Sequence, residues 1–118
     1  MIKTEPLFRR KVSADRVFSA FADSTRLRIL SLLRGGELCV CDLVRVLELP
    51  QAKVSRHLAY LRKSGLIDGR QDGLWRHYRL ADPKTALQRK LLECLHCCLA
   101  EVPELAGDLR RLASGKCC

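Results

Sequence analysis

Most of the chain carries apolar residues at the three- and four-residue spacing of amphipathic helices. Up to residue 64 this pattern predicts four helices, over residues 12–22, 24–34, 38–47 and 51–64. An extended step precedes the third helix, and Pro50 lies in the turn before the fourth. In the fourth helix the apolar residues recur at i, i+4 and i+7, so this stripe is expected to face the core. Its members are Val54, Leu58 and Leu61.

The hydrophobic period changes after residue 65. Leu66-Ile67 and then LWRHYRL at 74–80 alternate as β-strands do, with the turn-forming segment GRQDG at 69–73 between them. A two-stranded hairpin is therefore predicted. A last helix is expected from Pro83 to about residue 100. The predicted fold is mainly α-helical with a small β-hairpin. One domain is expected over residues 1–100, followed by a partly disordered C-terminal extension over residues 101–118.

Length and composition agree with one small helical domain. Of the 118 residues, 47% are hydrophobic but only 5% are aromatic, which favours helices over a β-sandwich. No apolar run is long enough to cross a bilayer. The first residues lack the apolar segment and cleavage site of a secretory signal, so a cytoplasmic protein without membrane contact is expected.

The positive charge is concentrated in the middle of the chain. The net charge is +9, and residues 45–79 hold eight basic against three acidic residues. A short helix, a turn, a longer basic helix and a hairpin together are typical of a winged helix-turn-helix, so double-stranded DNA is the expected partner. Gln51 can pair with adenine and Arg56 with guanine. The candidate DNA-binding residues of the basic helix and the hairpin are Gln51, Lys53, Ser55, Arg56, His57, Arg62, Arg70 and Arg76.

Seven cysteines in a chain without an export signal indicate metal, metalloid or redox chemistry rather than disulfides. Cys39 and Cys41 begin the short third helix. On a regular helix, side chains two residues apart point about 200° away from each other. Their sulfurs can therefore meet on one atom only if Cys39 lies outside the helix or the first turn opens. The alternative is that both are small buried core residues.

The stretch GELCVCDLVRVLELPQAKVSRHLAYLRKSGLI, followed by GLWRHYRL, resembles the winged helix-turn-helix repressors of the arsenic-repressor (ArsR/SmtB) family. The resemblance covers about residues 14–100. ELCVCDL at 37–43 is similar to the inducer-binding motif of the arsenite-responsive branch, and SRHL at 55–58 to the core of the recognition helix. The resemblance implies a homodimer, paired through its first and last helices, that binds operator DNA without a cofactor and represses an arsenic-resistance operon. It also implies release when trivalent arsenic, as arsenite or a methylated form, binds Cys39 and Cys41.

The chain departs from that branch at Val44, where such sensors often carry a third cysteine. Either another thiolate supplies the third bond to arsenic, or only two thiols bind and the arsenic keeps a group other than sulfur at its third coordination position. The candidates for a third thiolate are Cys94, Cys97, Cys98, Cys117 and Cys118. The cysteines of the last helix are alternatively explained by packing at the dimer seam or by a second thiolate site. Zinc at the carboxylate–histidine site of the zinc-sensing branch is not expected, because Lys84 stands two residues after Asp82 where a ligand would be needed.

Two other functions are weighed against arsenic sensing. The same fold could respond to cadmium, lead, antimony or thiol oxidation through the same cysteines. A thiol-redox enzyme would use C-x-x-C at 94–97, but that motif lies within a helix and lacks the βαβ context of such enzymes. No phosphate loop or Ser–His–acid set stands out. A regulator without enzymatic activity is therefore expected.

Overall fold

The computed structural model describes residues 13–97 and 101–115, which form six helices and a three-stranded sheet. Among these helices, none has the length and apolar character needed to cross a membrane. The predicted mainly α-helical fold with a hairpin is confirmed. In chain order the elements are α1 Ala14–Ala20, α2 Ser24–Leu33, β1 Leu38–Cys39, α3 Val40–Leu47, α4 Gln51–Lys63, β2 Ile67–Asp72, β3 Trp75–Leu80, α5 Ala86–Cys97 and α6 Pro103–Ala113.

The core lies among α2, α3, α4 and the sheet. The predicted apolar stripe of α4 is buried, and so are Ile29 and Leu30 of α2 and Leu43 of α3. At the start of α2, the Asp23 carboxylate accepts a hydrogen bond from the backbone N–H of Arg26 at 3.0 Å. This cap satisfies one of the helix-terminal donors. For α4 the spacing rule therefore predicted both the helix and its buried face.

The hairpin is longer than predicted, because β2 continues through most of the segment assigned to the turn. β2 and β3 pair antiparallel from Ile67↔Leu80 to Asp72↔Trp75, and the turn is confined to Gly73-Leu74. Gly69 pairs with Tyr78, and a Cβ atom on Gly69 would lie 3.2 Å from the Tyr78 ring. This glycine therefore leaves room for a ring rather than forming a turn. On the other side of β3, the two-residue strand β1 completes the sheet in the order β1-β3-β2.

The C-terminal part differs from the prediction of a single last helix reaching about residue 100. α5 spans Ala86–Cys97, and a further helix, α6, begins at Pro103 after an extended Val102. Proline disfavours the helical conformation for the residue before it, which explains a helix boundary at this position. α6 packs against α2 and α3 and buries Leu105 and Asp108. The C-terminal extension therefore contributes a helix that packs on the domain. Three predicted candidate ligands lie outside the described residues: Cys98, Cys117 and Cys118.

Candidate thiol site and nucleic-acid interface

The two cysteines of the CVC motif lie in direct contact at the junction of β1 and α3. Cys39 is the last residue of β1 and the N-cap of α3, with extended backbone angles (φ −84°, ψ 159°), while Cys41 lies in the first turn of the helix. Their Sγ atoms are 2.6 Å apart. Cys39 thus lies outside the helix, which is one of the two conditions under which both sulfurs can reach the same atom. Cys39 is buried and Cys41 is partly exposed.

Asp42 is a third polar member of this site that the sequence analysis did not assign. The Cys39 thiol donates to Asp42 Oδ2 at 3.6 Å, and Asp42 Oδ1 lies 3.3 Å from Arg45 Nη2. Among the described residues, Cys39, Cys41 and Asp42 form the one group of three potential metal-ligating side chains. Two soft sulfurs dominate this donor set, which suits a thiophilic centre. The i, i+3 spacing from the N-cap residue to Asp42 was the available sequence signal.

Cys41 opens onto a cleft between the helix-turn-helix and the hairpin. The cleft is bounded by α3, by the start of α4 and by β3. Its lining includes Val40, Cys41, Val44, Gln51, Ser55 and Arg76. A ligand at the thiols would therefore share one space with Gln51 and Ser55, which are predicted DNA-binding residues at the start of α4. Val44, which stands in place of a third cysteine, contributes an apolar wall to it.

The exposed face of α4 carries most of the predicted DNA-binding residues. No residue of Gln51–Lys63 is acidic, so the charge of the helix is uniformly positive. N-terminal residues of such a helix reach base edges when it lies in the major groove. The predicted side chains that α4 exposes are Gln51, Lys53, Ser55, Arg56 and Arg62.

His57 differs from these residues because it faces the start of α2. Its Nδ1 atom lies 3.3 Å from Arg26 Nη1 and 3.7 Å from Asp23 Oδ2. Since a guanidinium only donates hydrogen bonds, His57 Nδ1 must accept and the neutral ring carries its proton on Nε2. Burial lowers the pKa of His57 below its ordinary value, and the nearby Arg26 cation lowers it further. The Asp23 carboxylate acts in the opposite direction and raises this pKa, but burial has the larger effect. His57 is therefore a packing residue in this structure.

The two predicted arginines of the hairpin have different environments. Arg70 forms a bidentate pair with Glu37, with contacts of 2.7 and 2.9 Å. The hydrogen bond from Arg70 holds the pKa of the Glu37 carboxyl below its ordinary value. Arg76 is exposed beside the cleft, with its guanidinium 5.8 Å from the centre of the Tyr78 ring. Arg76 is therefore the more available of the two for a phosphate, because Arg70 already has an anionic partner.

Arg26 joins the first helices to α4, a role that sequence reasoning missed. Its Nε donates to the carbonyl of Ala20 at 3.1 Å, and its guanidinium lies 4.1 Å from the centre of the Tyr60 ring. The Tyr60 hydroxyl is 2.8 Å from that of Ser19. These contacts are tertiary, and nothing in the local sequence around Arg26 distinguishes it from a surface arginine.

The described cysteines of α5 do not join a metal-ligating group. Cys94 and Cys97 are exposed, whereas Leu92 and Leu95 form the buried face of the helix. Packing within the core of one protomer therefore does not explain Cys94. The remaining predicted cysteine of this cluster, Cys98, lies outside the described residues.

Comparisons with known proteins agree with this geometry. Residues 23–68 match the model of a family described as bacterial regulatory protein, arsR family. Over 103 residues the chain is 44% identical to the arsenical resistance operon repressor of Escherichia coli (strain K12), and the match covers 86% of each chain.

Solved structures of two further proteins have the same fold. HlyU from Vibrio cholerae N16961 aligns with a TM-score of 0.65 at 34% identity, over 74% of this chain and 91% of that chain. The homodimeric winged helix-turn-helix DNA-binding domain of a possible ArsR-family transcriptional regulator from Mycobacterium bovis aligns with a TM-score of 0.62 at 30% identity, over 74% and 78%. The chain therefore belongs to the arsR family of bacterial regulatory proteins and has a winged helix-turn-helix fold.

Proposed function

We propose that the protein is a transcriptional repressor that binds operator DNA as a homodimer and releases it when trivalent arsenic binds Cys39 and Cys41. The observation that carries this proposal is the 2.6 Å contact between the two sulfurs at the start of the helix-turn-helix. The similar protein from Escherichia coli is named as an arsenical resistance operon repressor, which supports arsenic as the signal. The regulatory family supports a protein without enzymatic activity.

The binding chemistry is ligand exchange at arsenic. Each thiol forms an arsenic–sulfur bond, one arsenic–oxygen bond breaks, and the thiol proton leaves with that oxygen as water. No electrons are transferred. With two thiols, arsenite keeps one hydroxyl group, and a methylated trivalent arsenical keeps its methyl group. Thiolates select such soft acceptors over hard cations, which take oxygen ligands.

Release follows from the position of the two thiols relative to α4. An arsenic atom bonded to both sulfurs replaces their direct contact, so Cys39 and Cys41 must move relative to each other. α3 packs against α4, and a change in the first turn of α3 therefore tilts the DNA-reading helix. In a dimer the two reading helices must match half-sites about 34 Å apart. A coupling of about 1–3 kcal/mol would give roughly 5- to 150-fold release.

The dimer is proposed to form through α1 and α5. The similar domain from Mycobacterium bovis is homodimeric. Phe18 of α1 is 52% exposed in the single chain, and the exposed side of α5 includes Cys94. Large apolar side chains on a surface are typical of an interface. Sedimentation at several protein concentrations tests this dimer. If wild type and Phe18→Ala were both monomers at micromolar concentration, the proposed dimer would be contradicted.

The main test is arsenic-dependent release from DNA. The probe is a duplex that the wild-type protein selects from a random-sequence library. Arsenite or a methylated trivalent arsenical is titrated against wild type, Cys39→Ser and the exposed-cysteine control Cys94→Ser. We expect wild type and Cys94→Ser to release the duplex and Cys39→Ser to retain it. If Cys39→Ser responds as wild type does, the site is wrong, and if Cys94→Ser alone loses the response, sensing lies on α5.

Thiol oxidation is the second candidate, because the same sulfur contact also suits a disulfide. Hydrogen peroxide would take two electrons and two protons from the thiols and leave as water. A stable disulfide is disfavoured in a reducing compartment. For this reason we propose arsenic binding rather than thiol oxidation as the first candidate signal. Release by peroxide that dithiothreitol reverses, without release by arsenite, would favour oxidation. Cadmium, lead and antimony belong in the same titration series.

DNA binding itself is tested by its salt dependence. Lys53 is exposed on α4 and suits a phosphate contact. Each phosphate contact adds about one unit to the slope of log K against log salt concentration. Lys53→Ala should therefore lower that slope by about one per protomer, whereas the loop control Lys84→Ala should not change it. Equal slopes for the two variants would remove Lys53 from the interface.

A further inference from the structure

The cleft beside Cys41 is bordered by large apolar side chains that remain in contact with water. In the described part of the chain three such side chains are exposed, those of Phe18, Leu74 and Trp75. Leu74 and Trp75, which are 94% and 48% exposed, lie at the tip of the hairpin, and both line the cleft. Removal of apolar surface from water is favourable. A ligand with an apolar group would therefore gain free energy by covering these two side chains.

The helical wall of the cleft is also apolar around the thiol. Val40 and Val44 both line the cleft, and because they lie four residues apart on α3 they share one face of that helix. Tyr78 adds a ring from β3. The cleft has a volume of about 800 Å³. Small-molecule sites typically have volumes of roughly 300–1,000 Å³ and mostly apolar walls, so a group as large as a phenyl ring can be accommodated here.

The cleft is the open side of the thiol pair. Trivalent arsenic forms three bonds, so an arsenic atom bonded to both sulfurs carries one further group. Cys39 is only 2% exposed, whereas Cys41 is partly exposed and lines the cleft. A second concavity nearby is lined by Leu38, Asp42 and residues 112–115, and neither cysteine belongs to that lining. The third group on arsenic is therefore expected to lie in the cleft between α3 and the hairpin.

We infer that the site selects trivalent arsenicals that carry one apolar organic group, up to phenyl in size, and that this group lies between Val44 and Trp75. This inference rests on the proposed function. The two hydroxyl groups of such an arsenical leave as water with the two thiol protons, the arsenic–carbon bond stays intact, and no electrons are transferred. A phenyl group covers Leu74 and Trp75, whereas the remaining hydroxyl group of arsenite leaves them in contact with water.

The experiment compares arsenite with phenylarsine oxide, which in water carries two hydroxyl groups and one phenyl group on arsenic. The measured quantity is the ratio of the two concentrations that release half of the selected duplex. Each variant is compared with wild type, so the general preference of thiols for either arsenical cancels. One methylene group in an apolar pocket changes discrimination by roughly tenfold or more. Trp75→Ala should therefore reduce the preference for phenylarsine oxide about tenfold, with the response to arsenite unchanged.

Two further variants test the opposite wall and provide the control. Val44→Thr replaces one methyl group of the wall by a hydroxyl group at nearly the same volume, and it should reduce the preference in the same direction by a smaller factor. Arg79→Ala removes an exposed side chain from the same strand as Trp75, outside the lining of the cleft. This control should keep the wild-type ratio, even if its affinity for DNA changes.

Tryptophan fluorescence gives a readout that does not depend on DNA, because Trp75 is the single tryptophan of the chain. In the protein without DNA, phenylarsine oxide should shift the emission to shorter wavelength as the phenyl group displaces water from the ring. The shift should saturate at one equivalent per protomer. Cys39→Ser should show no such shift at one equivalent, because the arsenical is then not held at the mouth of the cleft.

The outcomes separate this inference from the proposed function. If both arsenicals release DNA through Cys39 but Trp75→Ala keeps the wild-type ratio, the inference is overturned and the two-thiol site stands. The same holds if Trp75→Ala weakens DNA binding without changing the ratio, because the hairpin tip would then serve DNA rather than the ligand. If Cys39→Ser still responds to both arsenicals as wild type does, the proposed function itself fails.

Discussion

Removal of the buried carboxylate of Asp108 should be among the most destabilising single changes in this protein. Asp108 lies in α6 and is fully buried, yet it carries a negative charge between two arginines. Arg28 donates to its two oxygens at 2.8 and 2.9 Å, and Arg111 donates at 2.6 Å. Arg111 Nε also donates to the carbonyl of Val46 in α3 at 2.9 Å. One carboxylate therefore connects α6 to both α2 and α3.

The size of the effect follows from the arginines that Asp108→Ala would leave behind. Removing one partner of a buried ion pair lowers the free energy of unfolding by about 3–5 kcal/mol. The side chains of Arg28 and Arg111 are 16% and 41% exposed and so keep some contact with water. We therefore expect a loss at the lower end of this range. A loss of about 3 kcal/mol lowers the Tm of a domain of this size by roughly 12 °C. The hydrogen bond that Arg28 donates to Asp108 raises the pKa of Arg28. A guanidinium is always charged in proteins, so Arg28 keeps its charge when this partner is removed.

Thermal and urea unfolding at a fixed protomer concentration measure this change, because association makes the Tm depend on concentration. The control is Glu104→Ala, which removes one negative charge from an exposed position of the same helix. We expect Glu104→Ala to cost no more than about 1 kcal/mol. If Asp108→Ala lost no more stability than Glu104→Ala, the carboxylate would not hold α6 in place, and the packing of α6 on α3 would be wrong.

Two further predictions concern the pH dependence of stability and the end of α3. The pKa of His57 is lower in the folded chain than in the unfolded chain, where it is about 6.5. The contribution of the neutral ring to stability is therefore complete above about pH 6.5 and is lost as the pH falls through the pKa of the folded state. Urea unfolding between pH 7.5 and 5 should therefore show a shallower decline for His57→Gln, and an unchanged decline would contradict this. Glu48 ends α3 in the left-handed region at φ 58°. Glu48→Gly should raise the unfolding free energy by about 0.5–1 kcal/mol, while Glu48→Ala, which keeps the Cβ atom, should not.

The parts of the fold that follow from local periodicity could be predicted from the sequence. The stripe of Val54, Leu58 and Leu61 identified both α4 and its buried face, because the helical period fixes which side chains share a face. α6 was missed because its second buried anchor is charged. Asp108 is a surface residue by composition, and only the approach of Arg28 from 80 positions earlier makes its burial favourable. β1 was likewise too short for a period to be detected.

The candidate site was predictable where its residues are neighbours in sequence. The spacing of Cys39 and Cys41 left two ways for the sulfurs to meet, with Cys39 outside the helix or with an opened first turn, and in the structure Cys39 is the N-cap outside the helix. The surroundings of the predicted DNA-binding residues could not be predicted, because some of these residues pair with distant parts of the chain. His57 packs against Arg26, and Arg70 pairs with Glu37, 33 positions away. Side-chain type and helical face describe a surface, but tertiary ion pairs decide which charges on it are available.

The junction at which the two thiols lie explains how a small ligand could affect the whole DNA-reading unit. Cys39 pairs with His77 across β1 and β3, so its backbone is fixed to the hairpin. Cys41 belongs to α3, which packs against α4. In the proposed function, an arsenic atom bonded to both residues would constrain the hairpin relative to the helix-turn-helix, the two parts proposed to contact DNA. Two thiols within one helix would act on α3 alone, whereas a pair divided between strand and helix acts on the angle between them.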